Sequence, residues 1–194
     1  MAAGMTRIDD APRHEERADG DDRNVAAGIV AGLIGGLVAT WVMSEFQGRW
    51  SKAADGYESP SAGGRHDARD WQERHDDLNA NELAAQAVAT RTIDRPLTRE
   101  ELEIAAPAVH YAFGGTMGAV YGALAEVSPA VRALGGTGWG TAVWIGGDEI
   151  AVPLLGLSRP NADYSLEAHA QSFAAHLVYG LTTEFVRRGV RALL

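Results

Sequence analysis

The chain predicts an all-α fold: an integral-membrane four-helix bundle with a polar, partly helical insertion between the first and second spans. Three observations carry the prediction. Residues 25–44 are twenty consecutive positions without Asp, Glu, Lys or Arg. At about 1.5 Å per residue such a helix crosses the roughly 30 Å hydrocarbon layer of a bilayer. Residues 105–125 also lack these four residue types and hold one histidine, His110. Glycines recur at every fourth position in the apolar runs: Gly28, Gly32 and Gly36, then Gly114, Gly118 and Gly122, then Gly136 and Gly140. That spacing lets helix backbones approach closely in lipid, where apolar side chains alone give little reason to associate.

Taken in order, residues 1–24 are expected to form a disordered acidic tail. They do not look like a cleaved secretory signal, because the apolar run behind them is too long for a signal core. The first span is placed at 25–46. A polar insertion follows at 47–103, its Gly- and Ser-containing start at 57–64 being flexible. Asn79 with Glu82 reads as a capping box that opens a short helix to about Thr90. Thr98 with Glu101, just after Pro96, reads as a second, whose helix runs on into the second span at 104–127. Ser128-Pro129 ends that span. The third lies at 134–157, interrupted by Asp148-Glu149 and ended before Ser158-Arg159-Pro160. The fourth lies at 166–186, with a short basic C-terminus from Arg187-Arg188. Because it contains His169, Gln171 and His176, an amphipathic helix lying in the interface is its alternative.

A net charge of −9 and the absence of a basic patch argue against nucleic acid as a partner. The chain has no Cys, which excludes disulfides, thiolate catalysis and Cys-ligated zinc. No P-loop, dinucleotide fingerprint or nucleophile elbow is present, and no cofactor is called for. The 17 Lys and Arg split eight against nine between the two predicted faces, so the positive-inside rule does not orient the bundle; the cluster after span four favours termini inside. The expected partner is the lipid bilayer. The glycine rows are open to two uses, packing within one chain and a homo-oligomer face.

Charges within a bilayer are costly and need a reason. Counting from the turns of the antiparallel hairpins places Asp148 and His176 at nearly one depth and His110 about 3 Å away along the axis. His110, Asp148, Glu149 and His176 are thus expected in one layer, with Thr40 and Trp41 of span one nearby. Pro153 cannot donate to the carbonyl of Glu149, so a kink with a free carbonyl is expected beside the carboxylates. His169, Ser172, His176, Gly180 and Thr183 share a broad face of the fourth helix. Such a layer suits a proton or ion site of the kind found on broken transmembrane helices. The same residues also suit plain structural pairing, with Trp144, Tyr121 or Tyr179 satisfying the second carboxylate. A metal site is a third use, though no motif sets its geometry. Glu45, Glu126 and Glu184, near span ends, are expected to be solvated.

His110-x-x-Phe113, Tyr121, Ala125-Glu126-Val127-x-Pro129, Pro153-x-x-Gly156-Leu157-x-x-Pro160, His176 and Glu184-x-x-Arg187-Arg188-x-x-Arg191 together resemble the YagU family of small bacterial inner-membrane proteins. The resemblance covers about 104–194. It implies a multi-pass protein of the cytoplasmic membrane with no established catalytic activity, and it carries over no functional residues. The leading expectation is therefore a non-enzymatic membrane protein whose carboxylate–histidine layer passes or senses protons. Its rivals are a structural protein that recruits a partner through residues 48–103, and a membrane-embedded metalloenzyme using His110, Asp148, Glu149 and His176.

Overall fold

A computed structural model describes residues 24–54, 78–158 and 160–194. The expected tail, apart from Asn24, and the whole of the flexible start at 57–64 lie outside the described residues. Those described are helical or in turns, with no strand among them. The elements are α1 (Val25–Ala54), α2 (Ala80–Ile93), α3 (Arg99–Val127), a 3₁₀ connection (Pro129–Gly136), α4 (Thr137–Val143), a π-helical segment (Trp144–Ala151), α5 (Val152–Leu154), a 3₁₀ turn (Asn161–Asp163) and α6 (Leu166–Arg191).

Helix α1 is the hub, packed against both α3 and α6, while α4 packs on α6 and α2 on α3. Its small residues explain how it serves two neighbours. Gly28, Gly32 and Gly36 face Gly122, Gly118 and Gly114 in antiparallel register, so closely that a Cβ on any of the six would overlap the opposite helix. On another side, a Cβ at Gly35 would come within 2.7 Å of the Thr183 carbonyl oxygen of α6. The row Gly136 and Gly140 meets α6 at Gly180 and the His176 carbonyl. All three glycine rows thus pack within the chain.

Between these contacts a small apolar cluster of Ala39, Met43, Val143, Ala175 and Tyr179 is buried beside several polar residues. The largest fully buried side chains are Tyr121, Glu184, Thr40 and Thr183, and the buried apolar residues are mostly alanines. Ile29, Leu33 and Leu37 of α1, with Phe113, Val120 and Leu124 of α3, are exposed instead. Among the described residues one helix, Val25–Ala53, is long and apolar enough to cross a membrane by length and composition.

Both capping boxes form. Asn79 accepts from the Asn81 and Glu82 amides and its own amide donates to Glu82, while Thr98 and Glu101 exchange the same pair of bonds. Helix α2 extends to Ile93 and ends on Asp94 in the left-handed conformation (φ 54°). The Gln86 side chain then bonds both backbone groups of Leu97, at 2.7 and 3.1 Å, which fixes the α2–α3 corner. From that corner α3 runs unbroken through Pro107 to Val127.

The third element departs from expectation twice. Its α-helix begins at Thr137, because Leu134, Gly135 and Gly136 take positive φ and the chain coils as 3₁₀ before them. A π-helical segment also replaces the simple kink expected at Pro153. The Val152 amide bonds the carbonyl of Gly147, five residues back, a wider winding that absorbs the donor proline lacks.

Two outcomes check this packing. Gly118→Ala sets a methyl carbon within 2.6–2.8 Å of the Gly36 backbone and should cost about 1–3 kcal/mol. Gly48→Ala, with nothing within 4 Å, should be neutral or stabilise by up to ~1 kcal/mol; thermal unfolding in detergent measures both. At the α2–α3 corner, bonds from the Arg95 guanidinium hold the Glu101 carboxyl down from its ordinary 4.5 to about 2. A lowered folded pKa stabilises the corner above pH 4.5, and the effect is lost as pH falls toward 2. Amide protection at the start of α3, relative to intrinsic exchange, should fall across that window, and Arg95→Ala should shift the change to higher pH.

Candidate functional site

Four elements meet at a cavity of about 550 Å³ inside the bundle. Helix α1 contributes Thr40, α3 His110 and Gly114, the π-helical segment Asp148, and α6 His176 and Tyr179. The first residues of α2, from Asn79 to Asn81, also border it, so the insertion covers part of its wall. The antiparallel glycine register explains why Thr40 and His110 share a level. Gly36 sits against Gly114, and one turn further along each helix lie Thr40 and His110. Trp41 points away and is 57% exposed.

The depths counted from the turns agree with the spacing of Asp148 and His176. Asp148 Oδ1 lies 3.8 Å from His176 Nε2, too far for a hydrogen bond. Its Oδ2 accepts from the Ser172 hydroxyl at 2.5 Å. His176 Nδ1 lies 2.9 Å from the Ser172 carbonyl. A carbonyl only accepts, so Nδ1 carries the proton, and Nε2 of a neutral ring is left as a bare acceptor facing the carboxylate. His176 is buried, whereas the Asp148 side chain is 42% exposed. A buried imidazole nitrogen beside a carboxylate that looks into an open cavity can exchange a proton with whatever the cavity admits.

Glu149 does not join this layer. Its carboxylate turns to His169 Nδ1 at 3.0 Å, one turn earlier on α6 than Ser172. The two carboxylates both face α6 but engage different turns of it, because adjacent residues of a helix point in different directions. Glu149 and His169 border a second cavity of about 240 Å³, whose wall Asp148 and Ser172 also join. Among the described residues no three His, Asp or Glu side chains are placed to hold a metal ion. The fourfold donor set His110, Asp148, Glu149 and His176 therefore does not converge.

The aromatic partners are spent elsewhere. Tyr179 donates to the Gly114 carbonyl at 2.6 Å and Tyr121 to Glu184 at 2.9 Å. Trp144 packs at a tilt on Phe173 with ring centres 5.0 Å apart, and among the described residues its buried indole nitrogen has no hydrogen-bond partner.

Glu126 and Glu184 correct the expectation that span-end carboxylates are solvated. The Glu184 side chain is 2% exposed and that of Glu126 10%. Glu184 accepts from Arg187 at 2.6 and 3.1 Å, from Arg188 at 2.6 Å and from Tyr121. Glu126 accepts from Arg191 at 3.0 Å and lies 3.6 Å from Arg187. The Arg187 guanidinium also sits 5.9 Å from the centre of the Tyr121 ring. The network ties α3 to α6 at the end of the bundle remote from Asp148. Spacing within α6 marks Glu184 with Arg187 and Arg188 as i,i+3 and i,i+4 pairs. Nothing local marks Tyr121 and Glu126, which come from 63 and 65 residues away. Glu45, by contrast, is 53% exposed.

A family model described as "Protein of unknown function (DUF1440)" matches residues 83–185, just over half of the chain. The matched stretch takes in His110, Asp148, Glu149, His176 and Glu184. No curated protein and no solved structure matches the chain.

Neutralising one member of the Glu184 network should be far worse than removing a neutral donor. Glu184→Gln leaves the buried Arg187 cation under-paired and should cost about 3–5 kcal/mol. Tyr121→Phe removes one hydrogen bond to a carboxylate that keeps two guanidiniums, and should cost about 2 kcal/mol. Unfolding of the two variants in detergent orders them.

Proposed function

We propose that this protein, which belongs to the DUF1440 family, is a small multi-pass protein of the bacterial inner membrane, of YagU type, that passes or senses protons without being an enzyme. The observation that carries the proton site is the cavity shared by His110, Asp148 and His176, with His176 Nε2 bare and facing Asp148. Ionisable groups inside a membrane bundle are costly, and proton relays are one of the uses that retain them. The multi-pass assignment is supported by what the helices expose: Ile29, Leu33 and Leu37 on α1, Phe113, Val120 and Leu124 on α3, and Leu181 and Phe185 on α6, while His176, Thr183 and Glu184 of α6 are buried. Exposed apolar surface on three sides of a bundle suits lipid far better than water. The π-helical segment beside Asp148 supports the same site, since such windings gather at functional positions.

On this proposal Asp148 takes a proton from the cavity and shares it with His176 Nε2. Ser172 holds Asp148 through its hydroxyl and His176 through its carbonyl, and so keeps the two in register. His110 on the opposite wall is a further acceptor.

Proton flux into proteoliposomes tests the site. Wild-type protein should move protons, and Asp148→Asn should lower the rate at least about tenfold while its unfolding temperature stays near the wild type's. If neither flux nor any pH-dependent change in Trp fluorescence depends on Asp148 or His176 in well-folded protein, the proton site is wrong.

A further inference from the structure

We infer that the cleft formed by Arg132, Arg187, Arg188 and Arg191 at the end of the bundle remote from Asp148 binds the phosphate of an anionic phospholipid headgroup. The inference rests on the membrane-spanning part of the proposed function and not on the proton site.

The cleft has a volume of about 310 Å³ and is lined by Glu126, the four arginines and Ala192. Four guanidiniums there face two carboxylates, those of Glu126 and Glu184. Both carboxylates are already saturated by Arg187, Arg188 and Arg191. Arg187 is buried and fully engaged, so it stiffens the floor. Arg188 is different: it binds Glu184 through Nε alone in the bonds described, and its side chain is 61% exposed. Arg132 is exposed on the 3₁₀ connection, and no described residue pairs with it. The cleft therefore presents two guanidiniums from different elements, one held at its root by Glu184 and one unpaired. A planar guanidinium offers paired donors that match phosphate oxygens, and a second from another element adds charge and direction.

Exposure on α6 tells a lipid from a free phosphate. Leu181, Phe185 and Arg188 follow one another at helical spacing on one face. Leu181 is 48% and Phe185 81% exposed, so an apolar stripe leads to the exposed cation. Leu134, 81% exposed, lies two residues beyond Arg132. An amphiphile with acyl chains against the stripe and an anionic phosphate at the arginines satisfies both halves of this surface. A free phosphate would leave the apolar half unused. Basic groups at the edge of an apolar belt draw anionic lipids in the same way at other membrane surfaces.

The test uses the full chain purified in neutral detergent, with unfolding temperature followed as phosphatidylglycerol, phosphatidylcholine or sodium phosphate is added. Phosphatidylglycerol should raise the temperature saturably and the other two should not. Arg132→Gln should weaken the effect about fivefold and Arg132→Gln with Arg188→Gln about 30-fold. Arg188→Lys in place of Arg188→Gln should restore only part of the affinity, since an ammonium keeps the charge but not the paired donors. Equal shifts with phosphatidylcholine, an equal shift with sodium phosphate, or undiminished affinity in the variants would each overturn the inference. Arg132 pairs with no described residue, so Arg132→Gln alone decides if the double variant is unstable. Retention of the full chain in carbonate-washed membranes tests the spanning assignment separately. A retained protein indifferent to phosphatidylglycerol removes the headgroup site alone, and a released protein removes both.

Discussion

The close approach of α1 to two helices at once is the constraint on which the rest depends. A helix can touch two neighbours at backbone distance only if it is small on two faces, and α1 is small on both: Gly28, Gly32 and Gly36 toward α3, Gly35 with Ala31 and Ala39 buried beside them. The consequence is a bundle with almost no room for large apolar side chains inside. The interior is left to short residues and to polar ones that satisfy each other. The aliphatic side chains that a soluble helix would bury are displaced to the outside. Dispersion between closely set backbones and hydrogen bonds between buried polar groups then hold the helices, as they do between helices in lipid.

The polar interior is divided between the two ends. Near one end, His110, Asp148 and His176 surround a cavity and are incompletely bonded: one imidazole nitrogen is bare and one carboxylate is open. Near the other, Glu184, Glu126, Tyr121 and Arg187 are saturated, and a buried pair of that kind is rigid because losing any partner strands a charge. Stability and chemistry are thus assigned to different ends of the same helices. Tyr179 links them, since its hydroxyl reaches the Gly114 carbonyl one turn from His110.

Much of this was legible in the chain because helix geometry is periodic. The four-residue glycine spacing marks faces, and the position of the turns sets depth, which is why Asp148 and His176 come within 3.8 Å. What was not legible depends on rotation about the helix axis and on distant partners. Depth alone cannot say that Glu149 faces His169, because a single residue's step turns it away from Asp148's partners. Nor does nearness to a span end say that Glu184 is exposed. Its burial is decided by Tyr121 and Arg187 arriving from two elements to replace water. The π winding at Trp144–Ala151 was hidden for a similar reason: Pro153 reports a missing donor but not how the chain re-pairs.

The chain has no cysteine, so single cysteines can be placed at will, and their labelling by a membrane-impermeant thiol reagent in intact vesicles tests the spanning bundle most directly. Cysteines at Asn24, Ala130 and Ala192 should label from one side only, and cysteines at Asn79 and Ala162 from the other. Ile34 and Val120, within the predicted spans at 25–46 and 104–127, should resist the reagent from both sides. Labelling of all these positions from one side, or ready labelling of the mid-helix positions, would contradict a bundle that crosses the membrane four times.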